Sequence, residues 1–444
     1  MSLPASAPQL PDAPPASAPG ALTPASQGQA APPAVAVRGG RLEFLDALRG
    51  IAAMLVAVQH SVEIVSPRYL RWSVEVWRPG EFGVVLFFLC SGFIIPASLE
   101  KYHSLKRFWV GRAFRLFPLY WACIAIIWAL HAVLGRPGLY EKIVQHPLRE
   151  TLVNMTMVQY LLNRPLIIGG SWTLAYEMVF YMLCSLLFLA GAHKKTVPLT
   201  FLMLCAAPAA GYLVPTLVFM KGTRTGALLA TTAFTALALA GLCMWTAKQD
   251  RGTRLSIALL SGTLVALIFN RWHPGYFTFS LLATMFVGSL LYRYMKGEVS
   301  PRLAWGLFAF GLVAIFTAQF LYTPDEVQEI YAHAFHTWRP EVATFLSAHL
   351  VFAAGLALRK YAFPRVITFL GTISYSVYLM HDVVIHVVPQ VGGRVTTVAV
   401  WLALTVAFSA VTYYAVEKPF QKWGHRLAQK GLAPRPREQA TAAS

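Results

Sequence analysis

From Phe44 onward the chain alternates long apolar runs with short basic turns. The runs are about 17–23 residues long, enough at ~1.5 Å per helical residue to cross the ~30 Å apolar core of a bilayer. The pattern predicts spans at 44–65, 81–99, 114–134, 171–191, 197–219, 226–247, 254–270, 276–295, 302–322, 342–360, 366–388 and 395–416. Two are weaker: Pro208, Gly211 and Pro215 interrupt 197–219, and 254–270 is short, so the expectation is 10–12 spans. Stretch 151–163 is apolar but too short to cross, and predicts a re-entrant or interfacial helix. The expected fold class is all-α, a polytopic transmembrane helical bundle.

Composition supports the same class. Of 444 residues 57% are hydrophobic and 13% charged, with mean hydropathy +0.54, whereas a soluble domain carries about 25% charge. Residues 1–40 differ: nine prolines from Pro4 to Pro33 stand among Ala, Ser, Gly and Gln. Such a segment buries too little apolar surface to fold. It lacks the basic start and apolar centre of a signal peptide, so the first span is expected to direct insertion. The chain therefore divides into a disordered tail at 1–40, a transmembrane domain at 41–424 and a basic disordered tail at 425–444. The net charge of +18 would suggest nucleic acid in a soluble protein; here its distribution argues for topology instead. With the N-terminus inside, 24 Lys and Arg fall on the cytoplasmic side and 12 outside. That bias predicts cytoplasmic termini and no nucleic-acid partner. The five cysteines, Cys90, Cys123, Cys184, Cys205 and Cys243, all lie in apolar stretches without metal-type spacing, and read as packing residues.

Ionisable residues inside a span cost at least ~2.5 kcal/mol, so each is a functional candidate. Arg49 and His60 are eleven residues apart in the first span. Eleven residues make about three helical turns, so both share one helix face, ~16 Å apart along the axis. Asp46 is placed to pair with Arg49, and Glu63 to orient the His60 ring. Counted inward from the expected outer boundaries, Glu177, His381 and Asp382 fall at the depth of His60, which predicts an outward-opening polar pocket. Arg112 and Arg115, one turn apart, join Arg49 as a cationic rim at the cytoplasmic edge, where guanidinium forks suit phosphate oxygens. A phosphate-binding rim joined along a helix face to an acid–base pocket has the dimensions of a coenzyme A thioester.

These segments resemble the acyltransferase-3 family of membrane O-acyltransferases, found mainly in bacteria. The resemblance runs through LDALRGIA…QH at 45–60, GVVLFFLCSGFII at 83–95, RFWVGRAFRLFPLYW at 107–121, GGSWTLAYEMVFYM at 169–182, GTISYSVYLMH at 371–381 and EKPF at 417–420. One departure is Val85, where the family commonly carries an acidic residue; Glu81, one turn earlier, is the nearest substitute. The resemblance implies transfer of an acyl group, usually acetyl, from cytoplasmic acetyl-CoA to a hydroxyl of an extracytoplasmic glycan or glycolipid. That activity places the protein in the bacterial inner membrane, with no metal. It implies donor binding by Arg49, Arg112 and Arg115 and an essential His60, with Glu177 and His381 in family motifs.

On this reading His60 acts as general base, Glu177 or Glu63 orients its ring, and Ser171, Trp172 and Asp382 line the acceptor side. A route through an acyl-histidine stays open. Three other classes fit parts of the sequence. A transporter or flippase for a glycan or anionic solute also needs polar residues at mid-depth, but no paired broken helices are visible. A metal site is suggested by Glu329, His333 and His336, which share one face if their segment is helical. A non-catalytic scaffold leaves the intramembrane Arg, His and Glu unexplained.

Overall fold

In a computed structural model, the structure describes residues 42–135, 141–211, 214, 250–271, 273–323, 328–331 and 334–430. Among these residues nine helices are long and apolar enough to cross a membrane. The first are α1 (Glu43–Val65), then α3 (Pro79–Tyr102) and α4 (Leu105–Leu134), with a short α2 (Pro67–Glu75) after α1. Small helices α5 (Glu141–Gln145) and α6 (Pro147–Asn154) lead to α7 (Trp172–Leu189), followed by α8 (Thr196–Ala210). Next come α9 (Arg251–Phe269), α10 (Gly275–Met295), α11 (Pro301–Tyr322) and α12 (Trp338–Ala357). Last are α13 (Arg365–Thr372), α14 (Ser374–Val387), α15 (Arg394–Thr412) and α16 (Lys418–Lys430). Local sequence sets several boundaries. The Ser66, Ser104, Asp250 and Ser300 side chains each accept a first-turn N–H, and α4 stops at Gly135 with φ +58°.

The most buried span is α10, and it packs along α3. A methyl group on Gly92 would press on the Met285 carbonyl, and one on Gly288 on that of Leu89, so the two backbones touch directly. The same device joins α1 to α13, where Gly50 faces the Ile367 carbonyl and Gly371 faces that of Asp46. Around this centre α1, α3, α4, α7 and α14 enclose the polar residues treated below.

Two expected elements take another form in the structure, and two are seen as shorter pieces. The expected span 366–388 is not one helix: it breaks at Ile373 into α13 and α14. The break coincides with the close seat of α13 on α1 at Gly371. Of span 197–219 the structure describes the 15-residue α8 and Val214, while 226–247 lies outside the described residues. Stretch 151–163 begins in α6 and ends in a 3-10 turn at Gln159–Leu162. The Asn154 side chain ties these pieces together by donating to the Glu150 and Pro165 carbonyls and accepting from the Ile167 N–H. Finally, Gln328–Tyr331 and Ala334–His336 form a two-stranded antiparallel hairpin, β1 and β2. The helical spacing that grouped Glu329 with His333 and His336 does not apply to a hairpin, and His333 lies outside the described residues. No group of three His, Cys, Asp or Glu positioned for a metal occurs among the described residues.

Candidate active site

A cavity of about 700 Å³, including the space open to solvent, lies between α1, α3, α4, α7 and α14. Arg49 comes from α1, and Arg112 and Arg115 from α4, where the one-turn spacing turns both guanidiniums the same way. No carboxylate lies within ion-pair distance of these three cations among the described residues. Arg112 instead lies over the rings of Phe108 and Tyr181, at 5.6 and 5.5 Å from their centroids, which fixes its plane. Glu177 supplies the cavity's carboxylate and accepts from Ser91 Oγ at 3.0 Å and Tyr181 OH at 2.5 Å. Behind the wall, Glu417 sits in a π-turn at Tyr413–Glu417 and accepts from Ser376 and Gln421. Its charge acts on Arg115 and Arg49. Three guanidiniums against one lining carboxylate make a cavity suited to a polyanion.

Further along α1, His60 is half-exposed, with Nδ1 3.5 Å from Glu63 Oε2. Its ring stacks on that of buried His381, with centroids 5.4 Å apart. Tyr378 stands between the cavity and this pair. It lines the cavity, and its ring is 5.8 Å from those of both His381 and Phe87. Its hydroxyl donates to the Gly170 carbonyl at 2.9 Å and is 2.6 Å from Thr173 Oγ1. These bonds tie α14 to the start of α7.

The expected residues therefore separate into two groups. Arg49, Arg112, Arg115 and Glu177 line the cavity; His60, Glu63 and His381 form the second group. Glu177 does not join His60 as depth counting suggested. The count took α7 to start at a membrane boundary, but α7 follows a 3-10 turn ending at Ser171, which is fully buried in the protein rather than at its surface. Glu81, the nearest acid to Val85, pairs with Arg78 at 2.9 Å and is not among the residues lining the cavity. Ser171 accepts from Gln159 Nε2 and donates to the Ile168 carbonyl, while Trp172 packs among Tyr160, Tyr176 and His273. Both brace the entry to α7. Asp382 accepts the Gly169 N–H at 2.9 Å and lies 3.5 Å from His386 Nδ1. Cys90, Cys123 and Cys184 are buried and unpaired.

Sequence reasoning missed Ser91, Tyr181 and Tyr378. Tyr181 had a signal, four residues past Glu177 on one helix; the other two are recognised by contacts between helices.

A family model described as an acyltransferase domain matches residues 42–417 and so takes in all of these groups. The chain belongs to the acyltransferase-3 family. It is also similar to the acyltransferase MdmB of Streptomyces mycarofaciens, 29% identical over 148 residues. That match covers 32% of the chain and 38% of the relative, so the chain spans about two-fifths of the length of the curated relative it matches. No solved structure matches the chain. In this acyltransferase-3 chain the motif residues Arg49, Arg112, Arg115 and Glu177 meet at one cavity, while His60 and His381 meet beyond Tyr378.

Proposed function

We propose that this chain is a membrane O-acyltransferase. It takes an acyl group, acetyl by the family's habit, from cytoplasmic acyl-CoA and places it on a hydroxyl of an extracytoplasmic carbohydrate such as an exopolysaccharide or O-antigen. Its seat on this reading is a bacterial inner membrane. The observation that carries the reading is the three guanidiniums, without carboxylate ion pairs among the described residues, at a cavity whose far wall, Tyr378, touches His381, on which His60 stacks. Guanidiniums match the phosphates of the donor's head. The ~16 Å of α1 between Arg49 and His60 suits its thin pantetheine arm, provided Tyr378 turns aside.

Glu63 accepts the Nδ1–H of His60 and leaves Nε2 as the base. His60 Nε2 takes the proton of the acceptor hydroxyl as its oxygen attacks the thioester carbonyl. Collapse of the tetrahedral intermediate breaks the C–S bond, and the departing thiolate takes the proton from the imidazolium. The Glu63 carboxylate stabilises that imidazolium while it exists.

The test is acyl transfer by protein reconstituted in vesicles, with acetyl-CoA on the Arg49 side and the glycans read by mass spectrometry. His60→Ala should abolish transfer and leave CoA binding intact. Near-normal transfer by this variant removes His60 from the chemistry.

A further inference from the structure

Glu63 can hold the His60 ring only if something holds Glu63. The structure supplies this through a side chain with no part in the proposed chemistry. Gln59 is buried, with 6% of its surface exposed, next to half-exposed His60. Its Nε2 donates to Glu63 Oε1 at 2.6 Å, and its Oε1 accepts the Gly80 N–H at 2.5 Å. Glu63 then turns its other oxygen, Oε2, to His60 Nδ1 at 3.5 Å. Two hydrogen bonds thus run from the backbone of α3 through Gln59 to Glu63, and a 3.5 Å contact continues from Glu63 to the imidazole.

Each link has a physical reason. Gly80 is in the first turn of α3, where N–H groups have no partner within the helix, so its donor is available to a side chain from α1. The approach is close: a methyl group on Gly80 would lie 3.1 Å from Gln59 Cδ, so glycine admits the amide. Gln59 and Glu63 are four residues apart on one helix face. An amide is suited to this place because it both accepts from the backbone and donates to the carboxylate. A carboxylate at position 59 would repel Glu63, and an apolar side chain would leave both neighbours without this partner.

We infer that Gln59 is a positioning residue that fixes the Glu63 carboxylate, and through it the His60 tautomer and ring, against the frame of α3. This inference rests on the reading of His60 as the base. Gln59 touches neither donor nor acceptor; it acts through Glu63. A purely structural role, as a cap for the α3 first turn, makes a different prediction: lost stability without a specific loss of turnover.

The experiment compares Gln59→Met, Glu63→Gln and the double variant in reconstituted vesicles, with kcat and the KM for acetyl-CoA measured for each. Met keeps the length and volume of Gln and removes both bonds. Gln59→Met should lower kcat roughly tenfold, the low end of what losing an outer hydrogen-bond partner costs at metal-bound histidines, with KM for acetyl-CoA unchanged. In the Glu63→Gln background the same substitution should cost less than twofold, because the two residues act in series. Wild-type kcat in Gln59→Met, or equal losses with and without Glu63, overturns the inference. A variant that fails to fold is replaced by Gly80→Ala, which presses the Gln59 amide aside by a few tenths of an ångström and should lower kcat in the same direction by a smaller factor. His60→Ala in parallel separates the two ideas. If it keeps activity, the base assignment falls; if it is inactive while Gln59→Met is normal, only the role of Gln59 falls.

Discussion

Replacing Arg112 by Ala gives the most direct measure of what the cavity is for. Its guanidinium lines the cavity without a carboxylate within ion-pair distance among the described residues and is oriented by the rings of Phe108 and Tyr181. Those rings hold the fork before a ligand arrives, so little ordering cost remains on binding. A hydrogen bond to a charged group contributes about 1.5–3 kcal/mol. At ~1.4 kcal/mol per decade, Arg112→Ala should weaken CoA binding by roughly 10- to 150-fold. Arg49→Ala and Arg115→Ala should fall in the same range. The three losses should not add, since Arg49 and Arg115 repel each other and removing one relieves the other. Thermal stability should change little, because removing a half-buried like charge offsets the lost contacts with Phe108 and Tyr181. Isothermal titration of CoA into protein in lipid nanodiscs measures the affinities, and wild-type binding should weaken as salt rises. Wild-type affinity in all three variants, or a lower melting temperature with unchanged affinity, would refute the argument and leave the arginines as membrane anchors.

Two stability predictions test the fold away from the cavity. Gly371→Ala drives a methyl group against the Asp46 carbonyl and should destabilise by about 1–3 kcal/mol. Gly306→Ala, in α11 with open space around it, should stabilise by up to ~1 kcal/mol. Equal melting temperatures in one detergent would contradict the close seat of α13 on α1. Glu150 lies on α6, outside the spans: burial favours its neutral form, but hydrogen bonds and charges from Arg164 and Arg149 more than reverse this, holding its pKa below the usual carboxylate value. A depressed folded-state pKa stabilises above the ordinary carboxylate range and loses that contribution as pH falls through the folded value. Glu150→Gln should therefore be less stable than wild type at neutral pH, with the gap closing on acidification; a gap independent of pH counts against the pairing.

The membrane class was readable because run length alone separates a span from a core helix, as α1, α10 and α11 illustrate. The Arg49–His60 relation was readable because both lie on one helix, whose pitch converts spacing into geometry. The break at Ile373 was not, since an apolar run looks the same whether one helix or two carry it. Glu177 was misplaced for a related reason: depth depends on where α7 begins, and buried Ser171 and the turn before it set that point. Gln59, Ser91 and Tyr378 matter through neighbours on other helices, and no one-dimensional pattern announces them.

Because the guanidinium of Arg49 and the imidazole of His60 belong to one continuous helix, the gap between them is a ruler cut to fixed length. Loop movements cannot stretch it. On the proposed reading, a thioester with its nucleotide removed would reach only one of the two marks, and the helix would gauge its ligand before any bond is made or broken.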